Sequence, residues 1–192
     1  MLAIKDLSIT RGVGEQSFTV SLPHLSLTEG EVIALCGSSG CGKSTLLEMI
    51  GLILKPDTLS QYNFDCVTLN MDLAPLIQGN DQKTLAEIRS KNLGFMLQNG
   101  GLLPFLSVWQ NILLPCQTNE ILADEVWLHY LCEKLNIGHL LAKYPKQLSI
   151  GERQRVAFVR SISHKPLLLL ADEPTSALDP HHSEVLFHLM LS

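Results

Sequence analysis

The sequence predicts an α/β fold with a mostly parallel sheet, opened by an antiparallel β hairpin and interrupted by an inserted helical subdomain. Three observations predict it. Short apolar runs alternate with helical stretches, the pattern that builds a parallel sheet. One such run, Glu31 to Cys36 (EVIALC), feeds a glycine-rich loop that opens a helix. Between two further apolar runs lies a long stretch whose periodicity is helical throughout.

In chain order, Leu2 to Ile9 and Phe18 to Leu22 alternate apolar and polar residues at the period of half-buried strands. They flank the turn-like Arg11-Gly12-Val13-Gly14, which makes an antiparallel hairpin the expectation. EVIALC reads as a buried strand and Lys43 to Ile50 as a helix. Leu93 to Leu97 (LGFML) is a second buried strand. From Trp109 to Leu141 the period is helical, with Val126, Leu128, Leu131 and Leu135 near one face. Ser149 to Ser163 continues as helix, and Pro166 separates it from the strand Leu167 to Ala171. The 192 residues suit one domain, with a core at about 1–98 and 165–192 and a helical insert at about 99–164.

Composition narrows the function classes. A net charge of −5 and pI near 5.8 give no basic nucleic-acid footprint, so no nucleic-acid partner is expected. No run approaches the ~20 apolar residues of a membrane helix, and no export signal is visible at the N-terminus. Cys36, Cys41, Cys66, Cys116 and Cys132 are dispersed without a CxxC pair and read as reduced thiols. The expectation is a soluble, cytoplasmic chain, and any membrane connection must come through a partner.

Gly37-Ser38-Ser39-Gly40-Cys41-Gly42-Lys43-Ser44 fits GxxxxGK[ST] at every fixed position. The glycines let the backbone curl so that its N–H groups point at phosphate oxygens. The helix that follows directs its partial positive end at the same anion. Lys43 would reach the β- and γ-phosphates and Ser44 would ligate Mg²⁺, with Thr45 completing the ATP-binding set. This P-loop motif alone leaves kinases, GTPases and helicases open, with a nucleoside triphosphate and Mg²⁺ as the expected ligands.

Leu167-Leu168-Leu169-Leu170-Ala171-Asp172-Glu173 ends a buried strand in two carboxylates, at the sheet edge where open α/β folds bind ligands. Asp172 suits Mg²⁺, held through water. Glu173 suits the proton of the attacking water, because phosphoryl transfer needs mainly positioning and charge neutralisation. Ser149-x-x-Glu152 is a capping box, so Ser149 would cap the helix carrying Arg153 and Arg155. That helix start reads either as a second anion site or as a plain capped surface helix.

Together these segments resemble the ATP-binding cassette (ABC) proteins. Leu148-Ser149-Ile150-Gly151-Glu152-Arg153-Gln154-Arg155 is similar to the LSGGQ signature and its Arg/Gln-rich helix. Gln98, after Gly94-Phe95-Met96-Leu97, resembles the Q-loop glutamine. Ser176-Ala177-Leu178-Asp179, just past Glu173-Pro174-Thr175, resembles the D-loop. The resemblance covers essentially the whole chain. It implies two cassettes packed head to tail, with Ser149, Gly151 and Asp179 acting in trans. It also implies that Gln98 contacts Mg²⁺ and the γ-phosphate and couples the insert to a transmembrane permease subunit. Glu173, Gln98 and Lys43 would be the catalytic set, and Ser44, Gln98 and Asp172 the Mg²⁺ set. The run Leu102 to Pro115 looks most like exporters of the lipoprotein-release and macrolide type.

Three departures stand out. Ile150 replaces a glycine of the signature and Glu152 a glutamine. Where the family places an aromatic against adenine, this chain has Arg11, with no aromatic until Phe18; a planar guanidinium also stacks on a base. The family's switch histidine, on a later strand, has no counterpart before Ser192. His181, His182 and His188 read as solvated surface residues. The leading expectation is an ATP-hydrolysing transporter subunit. The alternative is a regulatory cassette that binds ATP without efficient turnover. The DNA-repair and chromosome-structure cassettes are disfavoured, because no heptad tract is present.

Overall fold

Apolar residues at Leu2, Ile4, Leu7 and Ile9 face inward from a strand whose alternation changes phase halfway. The computed structural model describes residues 1–12, 14, 17–66 and 69–191, and in it this strand is β1 (Leu2–Arg11). The phase change falls at Asp6, whose φ is 53° and which lies opposite Pro23 in β2 (Phe18–Leu27). Proline offers no N–H to the ladder, so the pairing tolerates a break in the pleat there. The expected hairpin is present and longer than expected; Val13 of its turn lies outside the described residues.

The chain divides into two compact units, Met1–Glu87 and Ile88–Ser192. In the first, a four-stranded antiparallel sheet runs in the order β2-β1-β3-β4, with β3 at Gln61–Cys66 and β4 at Leu69–Asp72. Buried Tyr62 of β3 donates its hydroxyl to the Ile50 carbonyl, which fixes the end of α1 (Lys43–Ile50) to the sheet. Burial raises the Tyr62 pKa, so the hydroxyl stays a donor. A short helix α2 (Ala74–Gln78) follows, then α3 (Gln82–Asn92), within which the unit boundary falls.

One expectation fails here. Residues 31–38 form no strand: Val32 and Ile33 are 53% and 43% exposed, and no described strand pairs with the segment. An apolar run signals burial, but a strand needs a ladder partner, and hydropathy does not specify one.

The second unit holds a parallel pair, β5 (Leu93–Met96) and β6 (Leu168–Ala171), in register from Leu93↔Leu168 to Met96↔Ala171. Asp172 N–H donates to the Met96 carbonyl at 2.9 Å and carries the pairing one residue further. Around the pair pack α4 (Val108–Thr118), α5 (Glu125–Lys134), α6 (Ile150–Ile162) and α7 (Pro180–Leu191). Leu128, Leu131 and Leu135 enter their shared core with Val108, Ile112 and Phe158. Val126 does not; it is 84% exposed. Two residues before Leu128 on a 100° helix, it lands on the opposite face.

Close packing explains Gly94. A Cβ there would lie 2.2 Å from the Ser161 carbonyl oxygen of α6, so β5 and α6 approach as only glycine permits. Buried Asn111 of α4 pins the preceding loop. Its amide donates to the carbonyls of Leu103, Leu106 and Ser107, and its Oδ1 accepts from Leu103 N–H at 2.8 Å.

Candidate functional site: a phosphate loop and a paired Gln–Glu edge

In the first unit, the phosphate loop spans residues 37–42 and ends as the N-cap of α1. Gly42 has φ 99°, and a Cβ there would meet Val20 Cγ2 at 2.4 Å. Only glycine turns the chain into α1 at this point. A Cβ on Gly37 would lie 2.7 Å from Cys41 Sγ, while Gly40, with φ 79°, faces open space. No side chain caps α1 and its first turn carries no acid, so its positive end is left to an external anion. Lys43 Nζ donates to the carbonyls of Gly37 and Ser38, both at 2.9 Å, and folds its ammonium over the loop. Ser44 is exposed and Thr45 half-buried behind it. These features fit a polyphosphate.

In the second unit, the C-terminal ends of β5 and β6 bring two predicted residues together. Gln98 Nε2 donates to Glu173 Oε2 at 2.8 Å. Glu173 is exposed and adopts a left-handed φ of 50°, a conformation unfavourable for a residue with a Cβ. Asp172, directly before it at the strand end, is half-buried.

Sequence reasoning assigned no role to the side chain that fixes this turn. Gln154 of α6, 2% exposed, donates from Nε2 to Ser176 Oγ at 3.0 Å and to the Glu173 carbonyl at 3.5 Å. Its Oε1 accepts the Ala177 N–H at 3.1 Å. One amide thus holds the segment after β6 against α6. The only local signal was its place on the inward face of an amphipathic helix, where glutamine has to find partners.

The capping box is formed as predicted. Ser149 Oγ accepts from Glu152 N–H at 3.2 Å, and Glu152 Oε2 accepts from Ser149 N–H at 2.7 Å. These bonds, the backbone one first, hold the Glu152 carboxyl below the usual range, so glutamate serves where glutamine would. Gly151 packs against the D-loop: a Cβ would lie 3.0 Å from the Ala177 carbonyl oxygen. Ile150, the residue after the cap, is 62% exposed.

Asp179 caps α7 through His182 N–H at 3.0 Å and also bonds His182 Nδ1 at 2.6 Å. The backbone bond, then the imidazole, draw the Asp179 carboxyl down to about 2. His182 is therefore half-buried and partnered, a correction to its reading as a solvated surface residue; His181 and His188 are exposed as expected. The described residues contain no cluster of three His, Cys, Asp or Glu suited to a metal. Of the residues expected to hold Mg²⁺, Ser44 lies in the first unit, and Gln98 and Asp172 lie in the second.

A phosphate loop opening a helix, an acidic strand end and a capped signature helix are each features of a P-loop ATP-binding cassette. Residues 21–176 match the ABC transporter family profile, and the chain belongs to that family. It is 35% identical to the uncharacterised ABC transporter ATP-binding protein YvrO of Bacillus subtilis, over 98% of this chain and 80% of that one. It is 37% identical to the lipoprotein-releasing system ATP-binding protein LolD of Cytophaga hutchinsonii, over 85% and 72%. Its fold is similar to the ATP-binding cassette MJ0796, solved as a dimer in a post-hydrolysis state with ADP and Pi. That match has TM-score 0.84 at 31% identity and covers 99% of this chain and 81% of that one. No helix among the described residues is long and apolar enough to cross a membrane.

Proposed function

We propose that this chain binds MgATP and hydrolyses it as one half of a head-to-tail pair of cassettes, and so drives a membrane permease at the inner face of the membrane. The observation that carries the hydrolytic half is the bond from Gln98 to Glu173, which supports a water-activating pair at the ends of β5 and β6. Glu173, exposed at the strand end, accepts the proton of the attacking water. Gln98 holds that carboxylate from one side and leaves its second oxygen for the water. Lys43 and the amides of residues 37–42 bind the phosphates, and charge neutralisation there supplies much of the rate. Ser44, Gln98 and Asp172 would hold Mg²⁺, which when bound would supply charge neutralisation for phosphoryl transfer. Arg11 and Phe18, paired across the β1–β2 ladder and both exposed, are the proposed adenine platform.

In the pair, Ser149, Gly151 and Asp179 of each chain complete the site of the other, a reading supported by the dimeric MJ0796 cassette. Likeness to LolD proteins supports a cargo of lipoprotein type, chosen by the permease. The core at about 1–98 and 165–192, with an insert at about 99–164 facing the permease, is part of the same proposal.

The test is phosphate release in MgATP across protein concentrations, beside Glu173→Gln. Turnover that rises faster than linearly with concentration and is lost in the variant supports the proposal. ATP binding without turnover at any concentration would leave a regulatory cassette.

A further inference from the structure

The loop after Gln98 is held by an unusual anchor. Gly100 and Gly101 both take left-handed φ, 76° and 54°, so two successive carbonyls turn toward α6. The half-buried Arg160 guanidinium meets them as a fork, with Nη2 donating to Gly100 O at 2.9 Å and Nη1 to Gly101 O at 2.8 Å. Burial disfavours its charge, and the partners of the fork are backbone carbonyls rather than a carboxylate. The loop matches this anchor closely. A Cβ on Gly101 would lie 2.9 Å from Leu97 Cδ1, and one on Gly100 would press on Ala157 and the Arg153 carbonyl at 3.4 Å. Turn bonds close it further, from Gly100 N–H to Leu97 O at 2.9 Å and from Gly101 N–H to Asn99 Oδ1 at 3.2 Å.

Six residues earlier on the same helix, Gln154 holds the backbone of Glu173 and Ala177. Thus α6 grips the segments on both sides of the Gln98–Glu173 bond, and its N-terminus carries Ser149 and Gly151. We propose that Arg160 is a positioning residue: its fork on Gly100 and Gly101 sets the reach of Gln98 to Glu173, so that α6 links the signature end of the helix to the hydrolytic pair. The inference rests on the assignment of Gln98 and Glu173 above. Lysine keeps the charge but cannot span two carbonyls in a fixed fork, which isolates the geometry.

The experiment uses the full chain with Arg160→Lys, Gly101→Ala approaching the clamp from the loop side, and each combined with Gln98→Ala. Arg160→Lys is expected to lower kcat about tenfold while KM for MgATP moves less than about twofold. In the Gln98→Ala background the same change should cost less than about twofold, because its effect passes through Gln98. Amide exchange over residues 97–103 should rise about tenfold in Arg160→Lys and in Gly101→Ala, with α6 unchanged. An equal kcat loss in both backgrounds, or unaltered exchange at Gly100 and Gly101, overturns the proposal. If the parent chain releases no phosphate, the hydrolytic reading fails by itself, and the exchange comparison still decides whether the clamp exists.

Discussion

Replacing Gln154 by leucine keeps most of the side-chain volume and removes every bond that ties the turn after β6 to α6. The Ala177 N–H and the Ser176 hydroxyl lose their partner, while the Glu173 carbonyl keeps the Ser176 N–H at 3.2 Å. Two bonds of ordinary strength at about 1 kcal/mol each bound the loss at about 2 kcal/mol. Ser176 and Ala177 are exposed, so water substitutes in part and about 1–2 kcal/mol is the expected cost. In a domain of this size that lowers Tm by roughly 2–8 °C. The functional effect should be larger. Glu173 sits in an unfavourable left-handed turn that Gln154 helps to hold, so its carboxylate should lose its aim, and kcat should fall about 10- to 100-fold. Affinity for nucleotide, measured by titration with a fluorescent analogue, should stay within about twofold. Thermal denaturation and single-turnover phosphate release read the two effects separately. A Tm loss with kcat intact would reduce Gln154 to a structural bolt and refute the reasoning.

Further outcomes follow from packing and titration. Gly94→Ala forces a Cβ to within 2.2 Å of the Ser161 carbonyl oxygen; it should cost about 3 kcal/mol or more by denaturant unfolding, whereas Gly14→Ala, with open space around it, should cost about 1 kcal/mol. His164 is buried, and its pKa is lowered by desolvation against a smaller raising effect of its bond to Leu93 O. The unfolded chain then binds the proton more readily, so stability is complete above the ordinary value of 6.5 and is lost as pH falls below it. In His164→Gln, whose amide can keep the bond to Leu93 O, the decline of Tm from neutral to mildly acidic pH should flatten. Timed alkylation with mass spectrometry should label the exposed Cys36 and Cys41 first and spare Cys132, whose thiol is pushed up to about 11 by burial. MgATP should slow labelling at Cys41.

Much of this was legible because its signals are local. The helix after the phosphate-loop motif, the Ser149–Glu152 capping box and the apolar runs at β5 and β6 each lie within a few consecutive residues, and each formed where expected. Parts of the segment between α1 and β5 carried signals that went unread. Tyr62 and Phe64 alternate with polar residues on β3, and Leu85 and Ile88 stand one helical turn apart on α3. Val126 was misplaced because a helical stretch was recognised without its phase. EVIALC was read as a strand on hydropathy alone, which carries no pairing information. Least legible were Gln154 and Arg160, whose roles depend on backbone groups 23 and 60 positions away in sequence. A short motif does not encode such contacts; the inward phase of Gln154 on its helix and the glycine pair at 100–101 were the visible traces.

The most direct test of the paired cassette mixes two inactive chains. Lys43→Ala disables the phosphate loop, and Ser149→Arg obstructs the signature while leaving the loop intact. If each site is built from the loop of one chain and the signature of the other, a mixed pair contains one intact site. Phosphate release should then return on mixing, approaching half the parent rate per mixed pair. If the mixture stays as inactive as its components while both variants still associate, the site is built within one chain and the head-to-tail account is wrong.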